Sequence, residues 1–310
     1  MTVREALSHG ASVLSGTGSE TPYLDSSLLL ARAAGCGRAD LLARNPEPLS
    51  PGAEAGFLAF LARRSEGESV AYILGEKEFF GRAFRVDPRV LVPRPDTEIL
   101  VEAALQAARR ILESRSEPDP GPGGRRTGPA PGTGLRIHDA FTGSGCVGIT
   151  LAAELPGSEV SLSDLSPGAR DLAARNARDI LGRDLAVLES DVLSGAPGPY
   201  DLLTANPPYV ASAETNRLLG RDPTRRTGGA DGIRREPRAA LDGGPDGLDL
   251  YRRLVPEAEI RLAIGGFLAV EIGEDQGAPV SELFRLGGFR EVEVIRDLGG
   301  RDRVVRGIRA

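Results

Sequence analysis

The sequence is poor in several residue types, and each shortage narrows what the protein can do. Two cysteines, Cys36 and Cys146, are too few for a disulfide framework and lack metal-ligand spacing. Two histidines, His9 and His138, are too few for most histidine-based metal or proton chemistry. Apolar runs stay below the roughly 18 residues that a membrane helix needs, and the start lacks a signal-peptide layout. We therefore expect a cytoplasmic protein without a metal or a membrane segment.

Positive charge is also in short supply. The formal net charge is −6, which argues against a protein that coats nucleic acid backbones. Lys77 is the only lysine, and the chain has 40 glycines and 23 prolines. This bias is typical of GC-rich codon usage, so we give arginine clusters little weight as evidence of phosphate binding. We expect no direct contact with nucleic acid.

The first part of the chain has a helical pattern. Residues 1–78 contain apolar stripes behind cap-plus-proline starts at Thr21-Pro22 and Ser50-Pro51. This pattern predicts a small helical domain, which we interpret as a substrate-recognition domain. Residues 79–94 combine aromatic and β-branched residues around a glycine, which predicts a β-hairpin connector.

Residues 95–310 form the third predicted unit, and they alternate between strand and helix patterns. The segment Pro95-Asp96-Thr97-Glu98 has the acidic first turn of a helix start. The predicted strands are 135–140, 159–162, 186–189, 201–205, 267–272, 291–295 and 303–307, and later helices are 147–154, 168–180 and 248–264. The alternation predicts an α/β, doubly wound, seven-stranded, mostly parallel sheet. Since residues 296–302 are a short connection, the last two strands should be antiparallel.

Two segments of this unit have little apolar content. Residues 114–134 consist mainly of Gly, Pro, Ser and charged residues, and residues 221–235 are rich in Gly, Arg and Asp. The first cannot bury enough apolar surface to offset its ordering entropy, so we predict a disordered insertion there.

The first predicted strand runs into a glycine-rich loop, and a helix follows at once. The loop is Phe141, Thr142, Gly143, Ser144 and Gly145. Its glycines let the backbone approach a ligand, and the helix N-terminus favours electron-rich groups. The run from 143 to 148 also matches G-x-G-x-x-G, with an acidic residue about 20 positions later, as in nicotinamide dinucleotide folds. The loop alone leaves both cofactor classes open.

Polar groups also end the next two strands. Asp164 ends the second strand, where a carboxylate can accept both hydroxyls of a ribose. Asp191 and Val192 follow the third strand and could contact the edge and face of an adenine. Either aspartate alone is better interpreted as a helix or turn cap. Their shared place at the carboxyl ends of successive strands, where doubly wound folds bind ligands, favours a cofactor site.

The fourth strand ends in Asn206-Pro207-Pro208-Tyr209. Proline fixes φ and has no N–H, so the strand cannot continue. What remains is a stiff platform with one carboxamide, free backbone carbonyls and an aromatic face, which suits a flat group bearing NH₂. The alternative interpretation is a strand-ending turn with a core tyrosine.

These motifs together resemble class I S-adenosylmethionine-dependent methyltransferases, and more narrowly the bacterial peptide chain release factor glutamine N5-methyltransferases. The resemblance covers most of the chain and is most specific in Pro93 to Glu98 and Asn206 to Tyr209. It implies that Phe141 to Gly145 line the methionine part of S-adenosylmethionine. Asp164 would then hold the ribose, and Asp191 and Val192 the adenine. The family usually has glycine or another small residue where this chain has Phe141.

The resemblance further implies that Asn206 to Tyr209 hold the substrate glutamine, with Asn206 also beside the cofactor. The Asn206 oxygen and the Pro207 carbonyl would accept the two amide hydrogens, while Tyr209 packs on the amide face. Orientation would supply most of the acceleration. The nitrogen would lose its proton to water, so no dedicated base is needed. The implied partners are release factors, in support of translation termination, and we expect a monomer.

Other functions stay open at this point. The same platform could hold a glutamine of a ribosomal protein, or the NH₂ group of a DNA adenine. The acidic balance and the lack of a recognisable DNA-reading domain argue against the DNA substrate. A protein whose pocket is spoiled by Phe141 would bind no S-adenosylmethionine, and a nicotinamide enzyme would bind that dinucleotide instead.

Overall fold

The computed structural model describes residues 1–116, 134–220 and 233–310. Its first part is helical, as predicted. The helices are α1 (Val3–Gly16), α2 (Pro22–Ala34), α3 (Arg38–Ala43), α4 (Pro51–Ser65) and α5 (Val70–Leu74). Pro22 and Pro51 occupy first-turn positions, where a missing N–H costs no helical hydrogen bond. Apolar side chains from Val3 to Ile73 form a hydrophobic cluster of their own.

A β-hairpin follows, consisting of β1 (Glu76–Phe79) and β2 (Arg82–Arg85). It begins at Glu76 instead of residue 79, so the predicted boundary between helical domain and connector falls inside β1. The reason is Gly75, whose left-handed conformation (φ +74°) ends α5 and lets the chain enter the strand directly.

The next helix starts after a 3₁₀ turn, Pro95–Thr97, and is α6 (Glu98–Ser116). The predicted disordered insertion, 114–134, is therefore wrong for residues 114–116. Arg115 forms an ion pair with the buried carboxylate of Asp201, which holds the end of α6 against the sheet. Residues 117–133 of the predicted insertion lie outside the described residues, as do 221–232 of the second irregular stretch.

The sheet has seven strands, as predicted. They are β3 (Arg136–Ala140), β4 (Glu159–Asp164), β5 (Ala186–Glu189), β6 (Tyr200–Ala205), β7 (Leu262–Glu271), β8 (Phe289–Arg296) and β9 (Asp302–Arg309). Their order is β5-β4-β3-β6-β7-β9-β8, with parallel pairing from β5 to β7 and antiparallel pairing on both sides of β9. The strand order reverses between β3 and β6, which is where doubly wound sheets bind ligands.

Helices cover both faces of the sheet. The remaining ones are α7 (Cys146–Glu154), α8 (Pro167–Leu181), α9 (Ser212–Leu218), α10 (Asp249–Arg261) and α11 (Gly277–Leu286). Successive residues of β6 face opposite clusters: Leu202 packs with α6 and α7, and Leu203 packs with α10 and α11. Within the described residues, no helix combines the length and apolar character needed to cross a membrane.

One predicted boundary is displaced. The helix expected over 248–264 ends at Arg261, and β7 begins at Leu262, five residues before the predicted strand. Leu262 is fully buried and pairs with Tyr200. The two glycines that follow, with Gly265 at φ +78°, hide this early start because they interrupt the apolar pattern.

Candidate active site

A cavity of about 710 Å³ lies at the carboxyl ends of β3 to β6, beside the point where strand order reverses. Most residues predicted for the site line it: Phe141, Thr142, Gly143, Ser144, Asp164, Asp191, Val192, Asn206 and Pro208. The structure describes all the predicted residues, and three of them do not line the cavity: Gly145, Pro207 and Tyr209. The fold therefore brings the glycine loop, both carboxylates and the platform to one place.

The glycine loop is held against the end of β4. Gly143 donates its N–H to Asp164 Oδ2 (3.0 Å), and Ser166 donates its N–H to Asp164 Oδ1 (2.9 Å). Burial raises the pKa of Asp164. Gly145, at φ +84°, begins α7, and a Cβ there would lie 2.5 Å from Ile149 Cδ1. The positive φ favours glycine at this position, and the Gly145 N–H closes the loop by donating to the Thr142 carbonyl at 2.8 Å.

Phe141 adopts the left-handed conformation, with φ +55°. This region favours glycine, and a side chain there costs roughly 1–2 kcal/mol. The aromatic residue therefore occupies a backbone conformation suited to the glycine expected at this position. Its ring packs against the same hydrophobic cluster as Tyr209.

Asp139 is buried beneath the loop and holds it to the neighbouring strand. It accepts hydrogen bonds from Thr142 Oγ1 (2.6 Å), the Gly148 N–H (3.2 Å) and Thr204 Oγ1 (2.8 Å). Burial raises its pKa to about 6. These contacts agree with a strand-end carboxylate that satisfies loop donors.

Asp191 and Val192 line the cavity after the end of β5, which lies three strands from β6 in the sheet. Asp191 is exposed and pairs with Arg253 at 2.8 Å. Val192 is buried, at φ +56°, and offers an apolar surface. A carboxylate and an aliphatic face thus stand side by side, a combination that suits a flat polar ring.

Asn206 begins the platform directly after the buried Ala205, and its side chain is half-buried. Its Nδ2 donates to Thr97 Oγ1 at 3.4 Å. The Tyr209 hydroxyl donates to Glu271 Oε1 at 3.2 Å, so the ring is anchored behind the cavity wall. Gln276 Nε2 donates to the Tyr209 carbonyl at 3.0 Å. Two chain segments therefore hold the platform: the 3₁₀ turn with Thr97, and the stretch from Glu271 to Gln276.

A glycine-rich loop packs against the backbone of the platform. A Cβ at Gly243 would lie 2.6 Å from the Pro208 carbonyl oxygen, and one at Gly247 would lie 2.3 Å from the Tyr209 carbonyl oxygen. A side chain at either position would clash with the platform backbone, so the close approach of loop and platform requires glycine.

Sequence reasoning missed Thr97, Glu271 and Gln276 as site residues. The segment interpreted as an acidic helix start in fact contacts distant elements. Asp96 pairs with Arg303 at 3.2 Å, and Glu98 Oε1 accepts the Phe80 N–H at 2.9 Å. Thr97 is buried and also lines the cavity. The Pro-Arg-Pro-Asp-Thr-Glu motif marks this segment in the sequence, but the residues that the segment contacts can be identified only from the fold.

The cavity suits an adenosine-containing cofactor with a flexible polar chain. Its volume lies within the ~300–1,000 Å³ of small-molecule sites. It offers loop backbone at Gly143, carboxylates at Asp164 and Asp191, and apolar surface at Val192 and Leu165. His, Cys, Asp and Glu side chains of the described residues do not gather in groups of three that could hold a metal ion.

The sheet order, the cavity at its reversal point and the asparagine platform define a class I S-adenosylmethionine-dependent methyltransferase. Residues 5–75 match the family model described as PrmC N-terminal domain, and residues 130–222 match that of the methyltransferase small domain. The Release factor glutamine methyltransferase of Moorella thermoacetica is 40% identical, covering 98% of this chain and 97% of its own. The protein of the same name from Geobacter sulfurreducens is 36% identical, covering 99% and 96%. The chain belongs to the release factor glutamine methyltransferase family.

A solved structure gives the same picture of the fold alone. The hMettl16 catalytic domain, in complex with MAT2A 3′UTR hairpin 6, has a TM-score of 0.55 at 16% identity, covering 81% of this chain and 82% of that chain. Family membership confirms the resemblance and the S-adenosylmethionine prediction. The nicotinamide interpretation of the glycine loop is not favoured.

Proposed function

We propose that the protein transfers a methyl group from S-adenosylmethionine to the side-chain amide nitrogen (N5) of a glutamine in peptide chain release factors, in support of translation termination. The observation that supports it most is the Asn206 carboxamide, placed in the wall of the cofactor cavity by the end of β6. The names of the relatives support the same substrate.

In this proposal the cavity holds S-adenosylmethionine along its length. Phe141 to Ser144 line the methionine part, with Gly145 next to them at the start of α7. Asp164 binds the ribose hydroxyls, and Asp191 with Val192 contacts the adenine. Asp164 accepts two backbone N–H groups, and a carboxylate has about four lone-pair sites. Acceptor capacity for the ribose therefore remains. When bound, the cofactor supplies an electrophilic methyl group on a sulfonium sulfur.

The platform acts on the substrate amide. The Asn206 Oδ1 and the Pro207 carbonyl accept the two N–H hydrogens and fix the amide plane, while Asn206 also stands beside the cofactor. Pro208 forms part of the wall, and the Tyr209 ring limits movement of the amide. Orienting a weak nucleophile in this way can lower a barrier by several kcal/mol. Water takes the proton that the nitrogen loses, so the residues need only hold and orient.

The helical part, α1 to α5, is proposed to recognise the protein substrate. It has its own hydrophobic cluster and is tied to the cavity by Tyr72, whose hydroxyl donates to the Val90 carbonyl. The three-part division at 1–78, 79–94 and 95–310 remains a prediction. We also propose a cytoplasmic monomer that does not bind nucleic acid directly.

The decisive experiment incubates the protein with a purified release factor and radiolabelled methyl donor, then locates the methyl group by mass spectrometry. We expect one methylated glutamine. Asn206→Ala should abolish methylation while the calorimetric Kd for S-adenosylmethionine stays within a few-fold. Asn216→Ala is the matched control, because that carboxamide is exposed on α9 and, among the described residues, accepts its side-chain hydrogen bond from Arg238.

Full activity of Asn206→Ala would overturn the assignment of the platform. Methylation of a ribosomal-protein glutamine or of DNA adenine, with the release factor unmodified, would overturn the proposed substrate.

A further inference from the structure

The Asn206 carboxamide can face the cavity in two opposite orientations, and only one suits the proposed reaction. With Oδ1 toward the cavity it accepts a hydrogen from the substrate NH₂ group. With Nδ2 toward the cavity, the carboxamide would place its own N–H donors against the NH₂ group of the substrate, which also donates. The orientation is therefore decided by the group that Nδ2 meets on the other side. In the structure that group is Thr97 Oγ1, at 3.4 Å.

Thr97 has a hydroxyl with one hydrogen and two lone pairs. It accepts from Asn206 only if its own hydrogen points elsewhere. Thr97 lies close enough to the carboxyl of Glu271, at the end of β7, for hydrogen bonding to lower the pKa of that carboxyl. An ionised carboxylate can only accept. When ionised, Glu271 can therefore take the hydrogen of Thr97, which leaves a lone pair of Thr97 Oγ1 for Asn206.

Glu271 also receives the other platform side chain. The Tyr209 hydroxyl donates to Oε1 at 3.2 Å. Oε2 has no hydrogen-bond partner within the described part of the chain, so the carboxylate keeps capacity for the Thr97 hydroxyl. Hydrogen bonds of this kind are often long without substrate and tighten when it binds. Glu271 is 1% exposed and lies behind the platform.

We propose that Glu271 is a positioning residue which, through Thr97, makes Asn206 present its carboxamide oxygen to the substrate amide, and which anchors the Tyr209 ring through its hydroxyl. The inference rests on the proposed function, since it assumes an NH₂-bearing substrate. Glu271 contacts Asn206 only through Thr97.

The charge of Glu271 depends on its surroundings. Burial raises its pKa to about 7. The ionisable groups that face it are Tyr209, Arg303 of β9, Asp96 of the 3₁₀ turn, Tyr251 of α10 and Cys146 of α7. Arg303 lowers the pKa, and Asp96 raises it. Below about pH 7 the protonated carboxyl can donate to Thr97, and the orientation of Asn206 is no longer enforced. Activity should therefore rise as the pH rises through about 7.

The test compares Thr97→Val with Thr97→Ser, and Glu271→Gln with the wild type. Thr97→Val keeps the shape but removes the acceptor, so kcat should fall by about ten-fold or more, while KM for the release factor and Kd for S-adenosylmethionine change little. Thr97→Ser should recover most of that loss. Thr150→Val is the control, since this buried hydroxyl has no hydrogen-bond partner among the described residues.

The pH profile of kcat separates positioning from simple packing. The wild type should show an acid limb near pH 7. The acid limb should persist in Thr97→Ser and disappear in Glu271→Gln. In Tyr209→Phe it should move to higher pH, because Glu271 loses a hydrogen bond that lowers its pKa.

Wild-type kcat in Thr97→Val, or an unchanged acid limb in Glu271→Gln, would overturn the inference while leaving the proposed function intact. Failure of the wild type to methylate any release factor would instead overturn the proposed function. Melting curves confirm that each variant is folded, and the threonine variants provide the answer if Glu271→Gln does not fold.

Discussion

The side-chain amide of Gln276 donates to the carbonyl of Tyr209 at 3.0 Å, from a position 67 residues further along the chain. The same Nε2 donates to the Gly247 carbonyl at 3.3 Å, and Oε1 accepts the Gly273 N–H at 2.9 Å. Gln276 is 7% exposed. One amide thus uses all its hydrogen-bonding groups to join the platform, the glycine-rich loop and the end of β7.

We expect Gln276→Ala to leave two carbonyls and one N–H without their partner. Such a loss costs about 1–3 kcal/mol of unfolding free energy, and kcat should fall because the platform is less firmly held. Urea unfolding and steady-state kinetics check both. Gln106→Ala is the control, because Gln106 is exposed on α6. Equal kcat in the two variants would show that the platform does not depend on this amide.

Phe141 allows a test of backbone strain in the cofactor loop. Phe141→Ala and Phe141→Gly both remove the ring, but only Ala retains a Cβ at φ +55°. We expect the Gly variant to be more stable than the Ala variant by about 1 kcal/mol, which reverses the usual order of these residues. Chemical unfolding of the pair measures the difference. A more stable Ala variant would mean that the loop is not left-handed at this position.

Much of this site follows from local sequence. The glycine loop, Asp164 and the platform are all recognisable because each is a short motif at a strand end. The local pattern of Thr97 and Glu98 predicts a helix start, and α6 does begin at Glu98, but the pattern does not predict their contacts. Their actual partners, Asn206 and Phe80, are 109 and 18 positions away. Contacts of this kind depend on tertiary packing, which no local pattern records.

The errors in element boundaries have similar causes. Local composition predicts disorder from residue 114, but the ion pair of Arg115 with Asp201 extends α6 to Ser116. The strand β7 starts early, where Leu262 pairs with Tyr200. The sequence does not reveal this start, because Gly265 and Gly266 follow it and interrupt the apolar pattern. In both cases a partner distant in sequence overrides the local preference.

The raised pKa of Asp139 predicts that the free energy of unfolding depends on pH. Burial raises its pKa from 3.8 to about 6, so between these values the folded state binds more protons than the unfolded state. Unfolding then releases a proton, and the contribution of Asp139 to stability declines as the pH rises from about 4 to 6. Asp139→Asn should remove this part of the slope. Unfolding free energies of both proteins across pH 4–7 test it, and parallel curves would contradict the assignment.

The buried ion pair between Arg64 and Asp25, at 2.9 Å, tests whether the helical part is an independent recognition unit. Its side chains are 7% and 9% exposed. Arg64→Leu removes one charge of the pair and should destabilise α1–α5 by about 3–5 kcal/mol, whereas the double variant Arg64→Leu/Asp25→Leu should recover part of that loss.

The Kd for S-adenosylmethionine should stay unchanged in both variants, because neither residue lines the cavity. The KM for the release factor should rise in Arg64→Leu and recover in the double variant. Calorimetry, denaturant unfolding and methylation kinetics give these three readouts, and a parallel loss of cofactor affinity would mean that the helical part and the cavity form one unit.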